Sequence, residues 1–167
     1  MALALIICNG LAALALCAAI IGGLASAREF LPLEVYTRTH VLLAIFAAFL
    51  VLFGHCMTMF YFIGTGIRIK ELVAEHAIEE DLVTPTRLFK KRVFPWATMA
   101  MLAVMVTFII GGGVDTGRVP SWLHLLLASS ALIIHFAAVQ KETQAISANV
   151  RLFDHLDTIV TADAEGV

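Results

Sequence analysis

The sequence predicts an all-α fold, a four-helix transmembrane bundle with both termini cytoplasmic. Three observations carry the prediction. Sixty per cent of the 167 residues are hydrophobic and only 14% are charged, with a mean hydropathy of +0.93, so lipid must be the main solvent. The apolar residues gather into four runs, each of the roughly 20 residues that a helix needs to cross a bilayer. Each run is continuous rather than alternating, which argues against membrane strands.

The first span is expected at residues 2–27. Its end, Ala25-Ser26-Ala27, resembles a signal-peptidase site. The run is longer than a signal peptide's apolar core and no basic region precedes it, so it reads as a retained helix. The second span, 38–67, follows Pro32 and Arg38. The third, 95–113, begins at Pro95 and ends at Gly111-Gly112-Gly113. The fourth, 120–140, opens on Pro120-Ser121, residues suited to a helix start. Together they make one integral membrane domain over 1–167, with no internal repeat.

Basic residues orient the bundle. Arg68, Lys70, Arg87, Lys90, Lys91, Arg92, Lys141 and Arg151 lie on one side, against Arg28, Arg38 and Arg118 on the other. The positive-inside bias makes the 68–93 connection cytoplasmic. It puts Trp122 and Tyr36 at the outer interface and Trp96 at the inner one. The expected location is a bacterial inner membrane, as a multi-pass protein. A net charge of −2 points to neither nucleic acid nor a polybasic anchor.

Helices 2 and 4 are expected to outrun the bilayer. Ile69, Leu72 and Val73 form one apolar stripe beyond Arg68. A C-terminal helix over 141–160 carries another at Ile146, Val150 and Phe153. Such stripes need cover, and mutual packing is the simplest source. Cys8, Cys17 and Cys56 fall inside apolar runs and read as small buried residues rather than a disulfide or zinc framework. Asn9 reads as an interhelical hydrogen-bonding residue. No nucleophile elbow, phosphate loop, HExxH or paired-carboxylate motif occurs. The chain therefore shows no self-contained catalytic constellation and would act, if in an enzyme at all, as a redox subunit of an oxidoreductase complex.

Histidines carry the chemistry. His40 and His55 lie on the second span, His124 and His135 on the fourth, and an ionisable group within a membrane helix is costly enough to need a role. His55 and His135 each fall just past the middle of their spans, and the helical rise matches their depths to about 3 Å. His40 and His124 differ by about 9 Å on the same measure. Helical rotation leaves the members of each helix's pair about 60° and 20° apart, so each pair shares a face. Ala44, Ala47, Ala48, Gly54, Ala128, Ala131 and Ala138 supply clearance nearby. Neutral imidazole is a good axial ligand for haem iron. Interhelical hydrogen bonding, and copper, non-haem metal or proton-relay use, are the competing readings.

This arrangement is generically similar to small membrane b-type cytochromes, in which histidines on two helices hold haem. The resemblance implies electron transfer through haem b held by His55 and His135, with His40 and His124 as a possible second site. One haem is preferred over two because of the depth mismatch. A quinone or a partner redox subunit would exchange the electrons. The alternative is a cofactor-free accessory subunit that scaffolds a larger membrane complex.

Overall fold

The computed structural model describes residues 1–26, 33–79 and 81–165. Ala27, the expected end of the first span, and Arg28 and Pro32, which precede the second, lie outside the described residues, as does the Tyr36 side chain. The described chain forms four helices, α1 (Ala2–Ser26), α2 (Leu33–Glu75), α3 (Val83–Asp115) and α4 (Ser121–Glu165). All four are long and apolar enough to cross a membrane, and the described residues contain no strand. In hydrocarbon, every backbone polar group must find its partner within the helix. The hydroxyls of Thr58, Thr65, Thr107 and Ser130 are absorbed the same way, each donating to the carbonyl four residues earlier.

α3 begins at Val83, well before the expected start at Pro95. The start signal is Asp81, whose carboxylate accepts the Thr84 N–H at 3.0 Å. The bonds from the Thr84 hydroxyl and N–H hold the Asp81 carboxyl below its ordinary value. Pro85 then sits in the first turn, where its missing donor has no cost. Pro95 falls inside the helix and removes a single backbone bond without ending it. The helix also runs through Gly111-Gly112-Gly113 to Asp115. It stops at Thr116, whose N–H bonds the Gly112 carbonyl, and at Gly117, with φ +69.

The helices pack in ring order. α1 lies chiefly on α2, α3 on α4 and α2 on α3, while α2 and α4 face each other across the diagonal. The interior is layered. Ala12, Val51, Val104 and Ala131 form one apolar layer. Leu5, Tyr61, Phe62, Val93, Ala145 and Ile146 form a second, toward the α2–α3 connection. Beyond it, Ile69, Leu82 and Leu156 pack with Leu72, Val73 and Phe153, so the apolar residues at these ends of α2 and α4 cover one another. Val150 departs from that stripe and is exposed. Phe46, Phe49, Phe53, Ile109 and Ile133 point outward, as residues facing lipid do. Cys56 is also exposed and not buried as expected. It follows His55 directly, so the helix turns it away from the core.

Candidate functional site

Between the two apolar layers lies a polar one. Asn9 of α1 falls between Leu5 and Ala12, His55 and Thr58 of α2 between Val51 and Tyr61, and His135 and Glu142 of α4 between Ala131 and Ala145. All five side chains are at most 1% exposed. Their polar atoms form a continuous chain. His135 Nε2 lies 3.2 Å from the Asn9 carbonyl oxygen, which accepts its hydrogen. His135 Nδ1 and His55 Nε2 are 3.0 Å apart, and His55 Nδ1 lies 2.6 Å from Glu142 Oε1. The Asn9 amide donates to Glu142 Oε2 at 2.9 Å, with the Thr58 hydroxyl at 3.4 Å. Asn9 was expected to bond a neighbouring helix, and it bonds two. Gly54 makes room for it, since a Cβ there would run into Asn9 Oδ1.

His55 and His135 therefore meet across the diagonal, with ring centres 5.1 Å apart. The packing does not suit a haem between them. Two imidazoles sharing one metal hold their ligating nitrogens about 4 Å apart, at about 2 Å per bond. Here the facing nitrogens are at hydrogen-bond distance, the second His55 nitrogen is engaged by Glu142, and both rings are sealed within the layer.

The second pair, at the far side of the Val51 and Ala131 layer, differs on each point. His40 and His124, expected to be mismatched in depth, lie side by side, with ring centres 6.1 Å apart at 83°. Rise per residue along separate helices misjudged them because tilt and side-chain reach absorb several ångströms. The His40 Nδ1–H donates to the Ala19 carbonyl at 2.9 Å, which leaves Nε2 with a free lone pair. His124 Nδ1 is buried without a hydrogen bond, and the Thr107 backbone lies beside the ring. Each ring edge sits against a glycine. A Cβ on Gly23 would meet His40 Cε1 at 3.0 Å, and one on Gly111 would meet His124 Cε1 at 3.0 Å.

Both rings line a cavity of ≈ 610 Å³ whose walls include Ala44, Ala47, Ala48, Ala128 and Ala131. Most of the small residues expected to give clearance at His55 and His135 thus give it here. The ring spacing is of the size a haem would need. Two imidazoles on one iron place their ring centres about 6 Å apart, allowing about 2 Å for each metal–nitrogen bond. A donor set of two imidazoles suits a metal that brings its other ligands with it. Among the described residues, no three His, Cys, Asp or Glu side chains converge as a metal site.

Glu142 escaped the sequence reading because it follows Lys141, which marks the apparent end of the span. The signal was the spacing: His135, Glu142 and Asn149 recur at seven-residue intervals and share one buried stripe. Lys141 turns outward and places its ammonium 4.8 Å from the Trp96 ring centre, as a cation settling at an interface does. Asn149 donates to the Tyr61 hydroxyl at 2.9 Å, two turns beyond Glu142. His155 is exposed and His76 half-buried beyond the end of α2. Compared with known proteins, the chain matches no family model, no curated protein and no solved structure.

Proposed function

We propose that this chain is a b-type cytochrome-like electron carrier of the membrane that holds haem b in the cavity between His40 and His124. The observation that carries the reading is the spacing of those two rings on the wall of a roomy, small-residue cavity. When bound, the haem would supply one-electron transfer. The residues of the chain supply the rest. His40, through its free Nε2, and His124 would hold the haem iron. The Ala19 carbonyl fixes the tautomer of His40 through Nδ1, as partners of a ligating histidine do. Gly23 and Gly111 set how far each ring reaches, and the alanine walls leave room beside the rings.

The eight-to-three basic bias supports cytoplasmic termini and a cytoplasmic 68–93 connection. The cavity then lies toward the outer face of a bacterial inner membrane, where a quinone or a partner redox subunit would meet it. His55 and His135, the alternative ligand pair, take a hydrogen-bonded role instead.

The test is the absorption spectrum of the protein purified from haem-replete membranes. A low-spin b-type spectrum is expected, abolished in His40→Ala and in His124→Ala and retained in His55→Ala and His135→Ala. Loss confined to the His55 and His135 variants would return the haem to the polar layer. A wild-type protein without a Soret band would leave the scaffold reading in its place.

A further inference from the structure

We propose that Glu142, His55, His135 and Asn9 form a proton-binding site that takes up one proton when the group in the cavity accepts one electron. This rests on the haem reading for its coupling, but the site itself is defined by the hydrogen-bond chain.

With His135 neutral, the hydrogens of the chain can be placed in one way. The Asn9 carbonyl accepts from His135 Nε2–H, so in a neutral His135 the Nδ1 lone pair must accept from His55 Nε2–H. That leaves His55 Nδ1 facing Glu142 Oε1 at 2.6 Å, a contact that needs one hydrogen, carried by either atom. Asn9 Nδ2–H donates to Glu142 Oε2. The layer is therefore neutral and holds one proton shared between acid and base. Tautomers and amide orientation follow from the network.

A second proton has a place prepared. With Glu142 protonated at Oε2 and His55 carrying both hydrogens, Oε1 still accepts from His55 Nδ1–H. Oε2–H then needs an acceptor in place of a donor. Asn9 Oδ1 is buried and has no hydrogen-bond partner, and turning the Asn9 amide presents it to Glu142. The loaded layer carries one positive charge. A buried carboxyl–imidazole–imidazole chain in a membrane helix bundle is the usual material of a proton relay.

Position supplies the coupling. Ala131 lines the cavity and Val51 closes the apolar layer beneath it. His135 and His55 each follow four residues later, about 6 Å along the helix axis. An electron gained in the cavity and a proton gained in the layer attract each other across a medium of low dielectric. The groups facing Glu142 and His55 are few: Asn9, with Cys8 beside it, from α1, Thr58 from α2 and His135 from α4. Between the flanking layers the buried α3 residues are Ala97 and Ala100, neither titratable. The step balances as one electron from a quinol-class or protein donor and one proton from water.

The experiment is a redox titration of the haem-loaded protein in detergent, with mediators, at a series of pH values. In the wild type the midpoint should fall as pH rises, approaching the about 59 mV per pH unit that corresponds to one proton per electron. Glu142→Gln should keep the haem spectrum and flatten the slope, and Glu142→Asp should restore part of it. His55→Gln serves as the second variant if Glu142→Gln does not fold. A flat wild-type midpoint, or an unchanged slope in Glu142→Gln, would overturn the proposal. If the protein purifies without haem, the haem reading fails and the site is decided by infrared titration. A protonated-carboxyl band that grows as pH falls and is missing in Glu142→Gln upholds the site, and its absence removes it.

Discussion

Removing the Glu142 carboxylate should separate a satisfied polar layer from a merely buried one. In Glu142→Ala, His55 Nδ1 loses its only partner, and Asn9 Nδ2 keeps only the Thr58 hydroxyl at 3.4 Å. A buried polar group left unpaired costs about 1–3 kcal/mol. Two such groups, one of them partly compensated, give about 2–4 kcal/mol of lost stability by the same measure. Glu142→Gln has the same shape and refills both contacts. Its amide N–H donates to the His55 Nδ1 lone pair and its carbonyl oxygen accepts from Asn9. It should cost less than about 1 kcal/mol, the net value of a typical hydrogen bond. Thermal or SDS-driven unfolding in mixed micelles, read by circular dichroism, compares the three proteins. A Glu142→Ala protein as stable as the wild type would refute the reasoning, since the layer's hydrogen bonds would then carry no weight. A Glu142→Gln protein as unstable as Glu142→Ala would show that His55 and Glu142 are held as an ion pair, which the amide cannot replace.

Other consequences are as direct. Gly54→Ala should displace Asn9 and cost about 1–3 kcal/mol as overpacking does, and adding Asn9→Ala should recover much of it, a non-additivity that a double-mutant cycle measures. Ala77 ends α2 with φ 49, a left-handed conformation that costs an L-residue roughly 1–2 kcal/mol, so Ala77→Gly should raise the unfolding midpoint, and a lowered midpoint would count against the cap. Cysteines introduced at 78–88 should react with an impermeant thiol reagent only after permeabilisation of intact cells, and labelling from outside would invert the sidedness.

The fold was largely legible because lipid leaves the backbone little choice. Any apolar run of spanning length must be a helix, and all four appear where the hydropathy places them. The boundaries were less legible where a local signal competed with hydropathy. Pro95 suggests a start, yet Asp81 and Pro85 already begin the helix twelve residues earlier, and one missing donor is a small loss inside a long helix. The site was legible in kind and not in detail. Histidines in spans mark where buried polar contacts form, and their faces could be read from the helical period. Matched depth also paired His55 with His135, whereas how closely His40 and His124 approach depends on tilt and interhelical distance, quantities that no single helix encodes. Glu142 was hidden by Lys141, because residue-by-residue depth ignores that neighbours on a helix point about 100° apart.

The two histidine pairs lie on the same helices, and their surroundings assign them different work. Around His40 and His124 the hairpins α1–α2 and α3–α4 repeat one device. The backbone, at Ala19 or Thr107, lies beside the imidazole, and a glycine one turn further, Gly23 or Gly111, makes room for its edge. The arrangement is nearly two-fold, as suits a flat ligand approached from both faces. The polar layer breaks that symmetry. α1 contributes Asn9 with a donor, an acceptor and a backbone carbonyl, whereas the buried α3 residues at that depth are alanines. One end of the imidazole pair therefore meets a carboxyl group and the other a carbonyl oxygen, which can never give up a proton. A proton held there has one direction of approach, through Glu142. The polar pair beyond it, Tyr61 and Asn149, lies toward the α2–α3 connection and away from the cavity. On the proposed haem and proton-site readings, electrons and protons would reach the bundle from opposite ends, with the apolar layer of Val51 and Ala131 between the two sites.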